Sequence, residues 1–533
     1  MPARRSKNDL SGFKEEYVAQ YILAHDLGTT GNKATLFSVD GELGASALYE
    51  YPVSYPRTSW VEQNPDDFWK AVCLSTRELL EKANVRSADV AGVCFSGQMM
   101  GCLLVDRDGR PLRPMIIWAD TRAGEQADEM EKKLGMEYVY RITGHRISAS
   151  YSAAKLLWVR DNEPALYRQA HKMLHAKDYI IYRLTGNYVS DYSDASGTNL
   201  FDLDKKDWDE RILKELGIDR SLLPELHPSS DRAGCITAAA AAETGLQEGT
   251  PVIIGGGDGS CACVGAGVVS EGSAYNVLGS SSWISLASKA PVYDREMRTF
   301  TWVHLDPALY TPCGTMQAAG YSYNWYRNTL CQDEITRARD TEKSPYKLID
   351  EGVLRSPPGA GGLVYLPYLL GERSPRWDHD ARGALIGLSV SSGKGDISRA
   401  ILEGVAFNLK IILTILEKGT PDGIGEVILI GGGAKGEVWL QILADIWQKP
   451  LAVPVYREEA TSLGAAVCGG IGIGAFRDYQ VIRNFNRIEK TIKPNAALAE
   501  QYEALFSIFD ESYSSLKGIY KRLMEYNRKF SKT

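Results

Sequence analysis

No run of 18 apolar residues occurs anywhere in the 533-residue chain, so no segment reads as a membrane-spanning helix. Concentrated positive charge is missing as well. Lys and Arg number 60 against 67 Asp and Glu, and the net charge of -7 has no basic run to offset it, which argues against nucleic acid and anionic membranes as partners. The nine cysteines are scattered, and the one close pair, Cys261 and Cys263, has neither zinc-knuckle nor Cys-x-x-Cys redox spacing. Buried reduced thiols and a cytoplasmic location are expected. His171 and His175 fall four residues apart on what reads as one helical face, but the Glu of a zinc-protease motif is missing and no metal site is expected there. Met1 to Lys14 is polar and leads into no apolar stretch of signal-peptide type, so residues 1–18 read as a disordered tail.

Glycine is plentiful, and three glycine turns organise the chain. The first is Asp26-Leu27-Gly28-Thr29-Thr30-Gly31-Asn32-Lys33, with strand-like Tyr21–Ala24 before it and Ala34–Val39 after it. Such a hairpin bend offers free amides and two threonine hydroxyls to phosphate oxygens, and Lys33 adds positive charge. Asp26 would repel phosphate unless a hard cation such as Mg²⁺ stood between them. The plainer alternative is a hairpin whose Gly and Thr residues serve turn geometry only. The second turn, Gly255-Gly256-Gly257-Asp258-Gly259, ends the buried strand Pro251–Ile254 with a lone carboxylate, a natural general base. About twenty residues on, Tyr275–Leu286 repeats the strand, Gly-hydroxyl turn, strand pattern around Gly279 and Ser280, which suggests a duplicated domain gripping a nucleotide from both sides of a cleft. The third turn, Gly431–Gly436, satisfies the G-x-G-x-x-G pattern of dinucleotide-binding folds, between strand Val427–Ile430 and helix Val438–Trp447. Glu437 stands where a Walker A lysine would be needed.

Between these turns the reading is coarser. A strand is expected over Gly44–Val53. Asn64 as cap and Pro65 at the first position start a helix expected to reach Lys82. Val90–Phe95 reads as a buried strand ending in Ser96-Gly97-Gln98-Met99-Met100-Gly101, where a substrate or merely a turn could sit. Asp120 and Arg122 read as a structural ion pair in preference to substrate contacts. Met130–Asp178 reads as mostly helical, Lys177 opens a helix stopped at Gly186, and Asp191, Asp194 and Ser196–Thr198 form a polar loop beside a cleft or in solvent. Small residues at Ala460–Ala466 predict close helix packing. Ala496–Arg522 reads as an amphipathic terminal helix followed by a disordered tail. A dehydrogenase would place its glycine fingerprint between the first strand and a helix, whereas the first glycine turn here enters a strand. A metal-nucleotide cleft, and so a kinase, is favoured over a dehydrogenase or a non-catalytic sugar sensor.

The chain resembles the FGGY carbohydrate kinases, and within them the xylulokinases, from about Tyr21 to Arg477. The motifs that carry the likeness are DLGTTGNK at Asp26, WVEQNPDDFW at Trp60, SYSAAKLLWVRDN at Ser150, KDYIIYRLTG at Lys177, GGGDG at Gly255, LGSSS at Leu278, GERSPRWD at Gly371, GALIGLSVSSGKGDISRAILEG at Gly383 and GGGAKGEVWLQILADIW at Gly431. The resemblance implies an α/β protein with two actin-like, ribonuclease-H-like ATPase domains and an interdomain cleft. A sugar-binding domain is expected over 19–268 and a nucleotide-binding domain over 269–533. It implies ATP and Mg²⁺, a sugar substrate, and leaves a homodimer open. Carried over by motif, Asp258 is the catalytic base and Asp26 lies by the metal. Gly28, Thr29, Thr30, Lys33, Gly279 and Ser280 face phosphates, while Gly320, Asn324, Gly433 and Glu437 line the nucleotide. Gln98, Met99, Met100, Gly259 and Trp283 join Asp258 at the sugar. Two positions depart from the xylulokinase pattern: Met100 replaces a His and Gly259 an Asn. Each lost hydrogen bond weakens a sugar by about 0.5–1.5 kcal/mol. Gly259 is expected to open space. The expected substrate is a small ketose, D-xylulose or a related pentulose, with another ketose, a deoxy or branched ketose or a polyol as the alternative, and D-xylulose is not expected to be the best of them.

Overall fold

The computed structural model describes residues 20–530, and the tail expected over 1–18 lies outside them. Tyr21–Leu27 (β1) and Gly31–Ser38 (β2) form the antiparallel hairpin foreseen at the first glycine turn, and Leu43–Glu50 (β3) pairs antiparallel with β2. On its other edge β1 runs parallel to Val90–Gly97 (β4). Arg232–Cys235 (β5) lies antiparallel to Pro251–Ile253 (β6), which is parallel to β4. Gly256–Gly257 (β7) then rejoins β4.

The second sheet repeats this order. Ala274–Leu278 (β8) and Ser282–Leu286 (β9) make its hairpin, and Phe300–Val303 (β10) and Tyr310–Met316 (β11) extend the β9 side antiparallel. Val427–Ile430 (β12) and Leu451–Pro454 (β13) follow in parallel beyond β8, and Ile488–Ile492 (β14) closes the edge antiparallel. The duplication glimpsed at two glycine turns is thus one of whole-sheet topology.

Helices cover both sheets. Pro65–Ala83 (α1) begins where Asn64 accepts the Asp66 amide at 3.2 Å, and it buries Phe68, Trp69, Val72 and Leu79 against the first sheet. Ser152–Asn162 (α2) and Ala176–Thr185 (α3) belong to the same lobe, and α3 stops at left-handed Gly186. A strand, Lys172–Leu174, interrupts the stretch expected to be helical and pairs with Leu103–Val105. His171 and His175 therefore share no helical face. Asp258–Gly265 (α4) follows β7 directly. In the second lobe come Gly320–Leu330 (α5), Lys394–Lys418 (α6) and Glu437–Trp447 (α7), the last starting one residue before the expected position.

The lobes exchange helices. Ala460–Gly472 (α8) comes late in the chain, yet Leu463, Ala466 and Val467 pack on Ile22, Ala24, Phe37 and Cys94 of the first sheet. Conversely, Ala262, Cys263 and Ala266 of the α4 segment pack with Tyr275, Ala287 and Ile430 of the second. The two helices cross with backbones in contact, as the run of small residues predicts: a Cβ on Gly464 would lie 1.9 Å from the Cys261 carbonyl oxygen. The terminal helix, Ala499–Phe530 (α9), runs past Arg522 to the last described residue, so no disordered tail begins at 523. No helix among the described residues is long and apolar enough to cross a membrane.

Candidate active site

Strand register assembles the acidic centre. Asp26 of β1 pairs with Ser96 of β4, and Ser96 pairs with Gly256 of β7, so the three stand in one row across adjacent strands about 4.8 Å apart. Two residues later Asp258 opens α4 and faces the cleft. Burial lifts its carboxyl to about 7, the charge of Asp26 adds to the rise, and the Gly259 amide, donating at 2.7 Å, opposes it. Asp26 is also raised, by burial first, against the Ser96 hydroxyl that donates to its Oδ1 at 2.9 Å and the nearby Lys33 charge. Among the described residues each carboxylate keeps one oxygen without a partner, an arrangement that fits a divalent cation.

The two hairpin turns match. Gly28 donates to Gly31 O at 3.0 Å and Gly279 donates to Ser281 O at 3.0 Å, leaving the Thr29, Thr30, Ser280 and Ser281 amides without a backbone acceptor. The two threonines differ. Thr29 Oγ1 accepts the Trp118 indole N–H at 2.9 Å, whereas Thr30 is exposed and makes no such bond. Lys33 Nζ lies 3.3 Å from Glu459 Oε1 and from Glu458 O, tying the first hairpin to the start of α8.

On the second lobe, a Cβ on Gly320 would meet Gly279 O at 2.4 Å, and the Ala319 and Tyr321 amides donate to Ser280 O. A Cβ on Gly433 would likewise lie 2.5 Å from the Leu278 side chain. Gly279, Ser280, Gly320 and Gly433 are thereby brought together. Asn324 lies one turn further along α5, its side-chain oxygen accepting from Arg327 and Asn328, and Glu437 is exposed and ion-paired with Lys490.

A cavity of about 560 Å³ opens in the cleft beside Asp258, lined by Met99, Met100, Gly259, Ser280, Trp283 and the rings of Trp118, Trp302 and Trp377. Gln98 does not line it: its amide donates to Gln63 Oε1 at 2.8 Å and Gly28 O at 3.3 Å, fastening this segment to the first hairpin. Gly259 lines the cavity, but a Cβ there would stand 3.3 Å from the Trp302 ring, so the space beside it is narrower than expected. The room that Asn would need is taken by an indole 43 residues away.

Three supporting groups carried no signal in the sequence beyond their motifs. The polar segment Asp191–Thr198 is buried, not solvated. Lys177 Nζ meets Asp178 at 2.7 Å, Asp191 at 3.0 Å and Asp194 at 3.3 Å, so an ammonium supplies the positive charge where His175, Asp178 and Asp194 converge. Asp191 accepts from Ser193 Oγ, and Ser193 Oγ accepts the Gly257 amide at 3.0 Å, which holds the residue that precedes Asp258. Glu372, which burial lifts to about 8, accepts the Gln317 and Arg373 amides at the cavity wall.

Paired sheets, each with a glycine hairpin, and a buried carboxylate at the cleft accord with a two-lobed phosphotransferase of the actin-like ATPase fold. The chain belongs to the FGGY family of carbohydrate kinases, whose N-terminal domain matches residues 21–265 and whose C-terminal domain matches 274–473; it is a kinase acting on a sugar hydroxyl. It is 32% identical over 510 residues to a xylulose kinase of Bacillus subtilis, covering 96% of this chain and 100% of that one. A gluconokinase of the same organism is 30% identical over 511 residues, with 96% and 99% covered. The crystal structure of ligand-bound xylulose kinase from Lactobacillus acidophilus superposes with a TM-score of 0.88 at 28% identity, over 94% of this chain and 99% of that one.

Proposed function

We propose that this chain is a xylulokinase-like enzyme that transfers the γ-phosphate of ATP, with Mg²⁺, to a hydroxyl of a small ketose, D-xylulose giving D-xylulose 5-phosphate or a related pentulose. The observation that carries this reading is Asp258: a cleft carboxylate with a pKa of about 7 and one free oxygen is poised to accept a proton at neutral pH. Residues 19–268 serve the sugar and 269–533 the nucleotide. Asp258 takes the hydroxyl proton as that oxygen attacks phosphorus in line, without a phospho-enzyme. The free amides of Thr29, Thr30, Ser280 and Ser281 hold phosphate oxygens, with Lys33 adding charge, while Gly320, Asn324, Gly433 and Glu437 border the rest of the nucleotide. Asp26 would hold the metal, which when bound offsets phosphate charge. Free cysteines, eight of nine buried, suit a reducing cytoplasm.

A second reading of the sugar rests on the cavity wall. Met100 and the indole rings offer stacking and apolar contact in place of two hydrogen-bonding side chains, which favours a deoxy or branched ketose or a polyol over D-xylulose. Arg373 lines the same cavity without a carboxylate partner among the described residues, so D-gluconate joins the panel.

A coupled ADP-release screen over pentuloses, hexuloses, tetruloses, deoxy sugars, polyols and D-gluconate tests both. Asp258→Ala should lose about 10²–10⁴-fold in kcat and still bind ADP. Full activity in that variant would remove Asp258 as the base. A D-xylulose kcat/KM above all others would discard the second reading.

A further inference from the structure

Lys155 lies in the first turn of α2, is fully buried, and has no ion-pair partner among the described residues. Its ammonium donates to two main-chain carbonyls, Met100 O at 2.8 Å and Ser150 O at 2.5 Å. Both acceptors belong to the cavity wall, Met100 on the segment leaving β4 and Ser150 on the segment entering α2. Met100 is also left-handed, with φ of +63°, a conformation that L side chains hold only when their surroundings impose it.

Burial pushes the Lys155 ammonium down to about 7; the Asp120 carboxylate and the Cys102 thiol pull it up, and the Arg122 and Arg373 charges oppose them. Asp120 is itself engaged with Arg122 and the Val61 amide. The ammonium is therefore committed to the carbonyls.

We propose that Lys155 is a positioning residue for the sugar: by joining the Met100 and Ser150 carbonyls it fixes the spacing of two cavity walls and holds Met100 in its left-handed conformation. The inference rests on reading the cavity as the sugar subsite. Lys155 touches neither reactant and acts through the backbone.

The test compares Lys155→Met, which keeps length and loses every donor, with Lys155→Gln, whose amide keeps two donors on a shorter stem. Melting temperature and ADP affinity establish folding. Steady-state constants are taken with the best sugar of the panel, and D-xylulose binding is followed by tryptophan fluorescence, which reads the cavity indoles without turnover. Lys155→Met should raise the sugar KM about tenfold or more, leave the ATP KM within about twofold and kcat at saturating sugar within about threefold, with Lys155→Gln in between. A sugar KM and fluorescence Kd within about twofold of the parent in a folded variant would overturn the proposal, as would an equal rise in the ATP KM. If Lys155→Met fails to fold, Lys155→Gln decides on the same criteria. Should the parent bind D-xylulose but phosphorylate nothing, the kinase substrate reading falls and the fluorescence titration still judges Lys155. A parent that neither binds nor phosphorylates any panel sugar overturns both.

Discussion

The Cβ that Gly265 lacks would stand 1.6 Å from the carbonyl oxygen of Ala460. Helix α4 starts at Asp258, the proposed base, and α8 begins beside the Lys33–Glu459 bridge, so this backbone-to-backbone contact joins the two lobes at the elements that carry the candidate site. No side-chain rotation can relieve a methyl group there. Gly265→Ala should exceed the usual overpacking cost of about 1–3 kcal/mol, because both obstacles are main chain. Urea denaturation measures it, and a loss below about 1 kcal/mol would mean that the helices part easily.

Activity should follow the Asp258 carboxyl. A protonated base cannot accept the sugar proton, so kcat/KM rises with pH through about 7 and levels off above it. The stability effect has the opposite sign. A carboxyl whose folded pKa lies above its ordinary value of 3.8 binds its proton more tightly when native, so this contribution is full below about 4 and is lost as pH rises through about 7. Asp258→Asn should therefore melt higher than the parent at pH 8 and by a clearly smaller margin at pH 5. Melting curves at the two pH values decide; a lower melting temperature at pH 8 would contradict the raised pKa.

The pair Asp120–Arg122 is expected to matter for folding more than for sugar affinity. Arg122 is fully buried, 2.7 Å from Asp120 Oδ2 and 2.7 Å from Glu62 Oε1, with its guanidinium 3.8 Å from the Trp60 ring centroid. Arg122→Met leaves the Asp120 carboxylate buried without a cation, while Glu62 keeps Arg113, at a cost of about 3–5 kcal/mol. The folded fraction should keep its sugar KM within about threefold. Denaturation midpoints and initial rates on one preparation separate the effects, and an unchanged midpoint with a raised KM would assign Arg122 to the substrate.

Signals that depend on neighbours in the chain were legible. Asn64-Pro65 marks the start of α1, Gly186 marks the end of α3, and the two glycine turns mark both hairpins, since torsion angles and caps are written locally. The centre of the site was legible as well: Asp258, Met99, Met100, Gly259, Ser280 and Trp283 share one cavity. What escaped depends on distant partners. Trp302 fills the space above Gly259, Glu459 takes the Lys33 ammonium from 426 residues away, and Lys155 clamps a carbonyl 55 residues earlier. Nothing in the periodicity of either segment encodes such meetings. The choice between cleft and solvent for Asp191–Thr198 stayed open for the same reason, because the lysine that offsets its buried charge belongs to α3.

The exchange of α4 and α8 between the lobes also sets an order of events during synthesis. Ile22, Ala24, Phe37 and Cys94 leave the ribosome long before their cover, Leu463 to Val467, which lies hundreds of residues further along the chain. At about 5–20 residues per second, roughly 200 residues after α4 take some 10–40 s to appear. Throughout that interval the nascent first sheet shows a bare oily face to the crowd around it, and the half translated first is the half completed last.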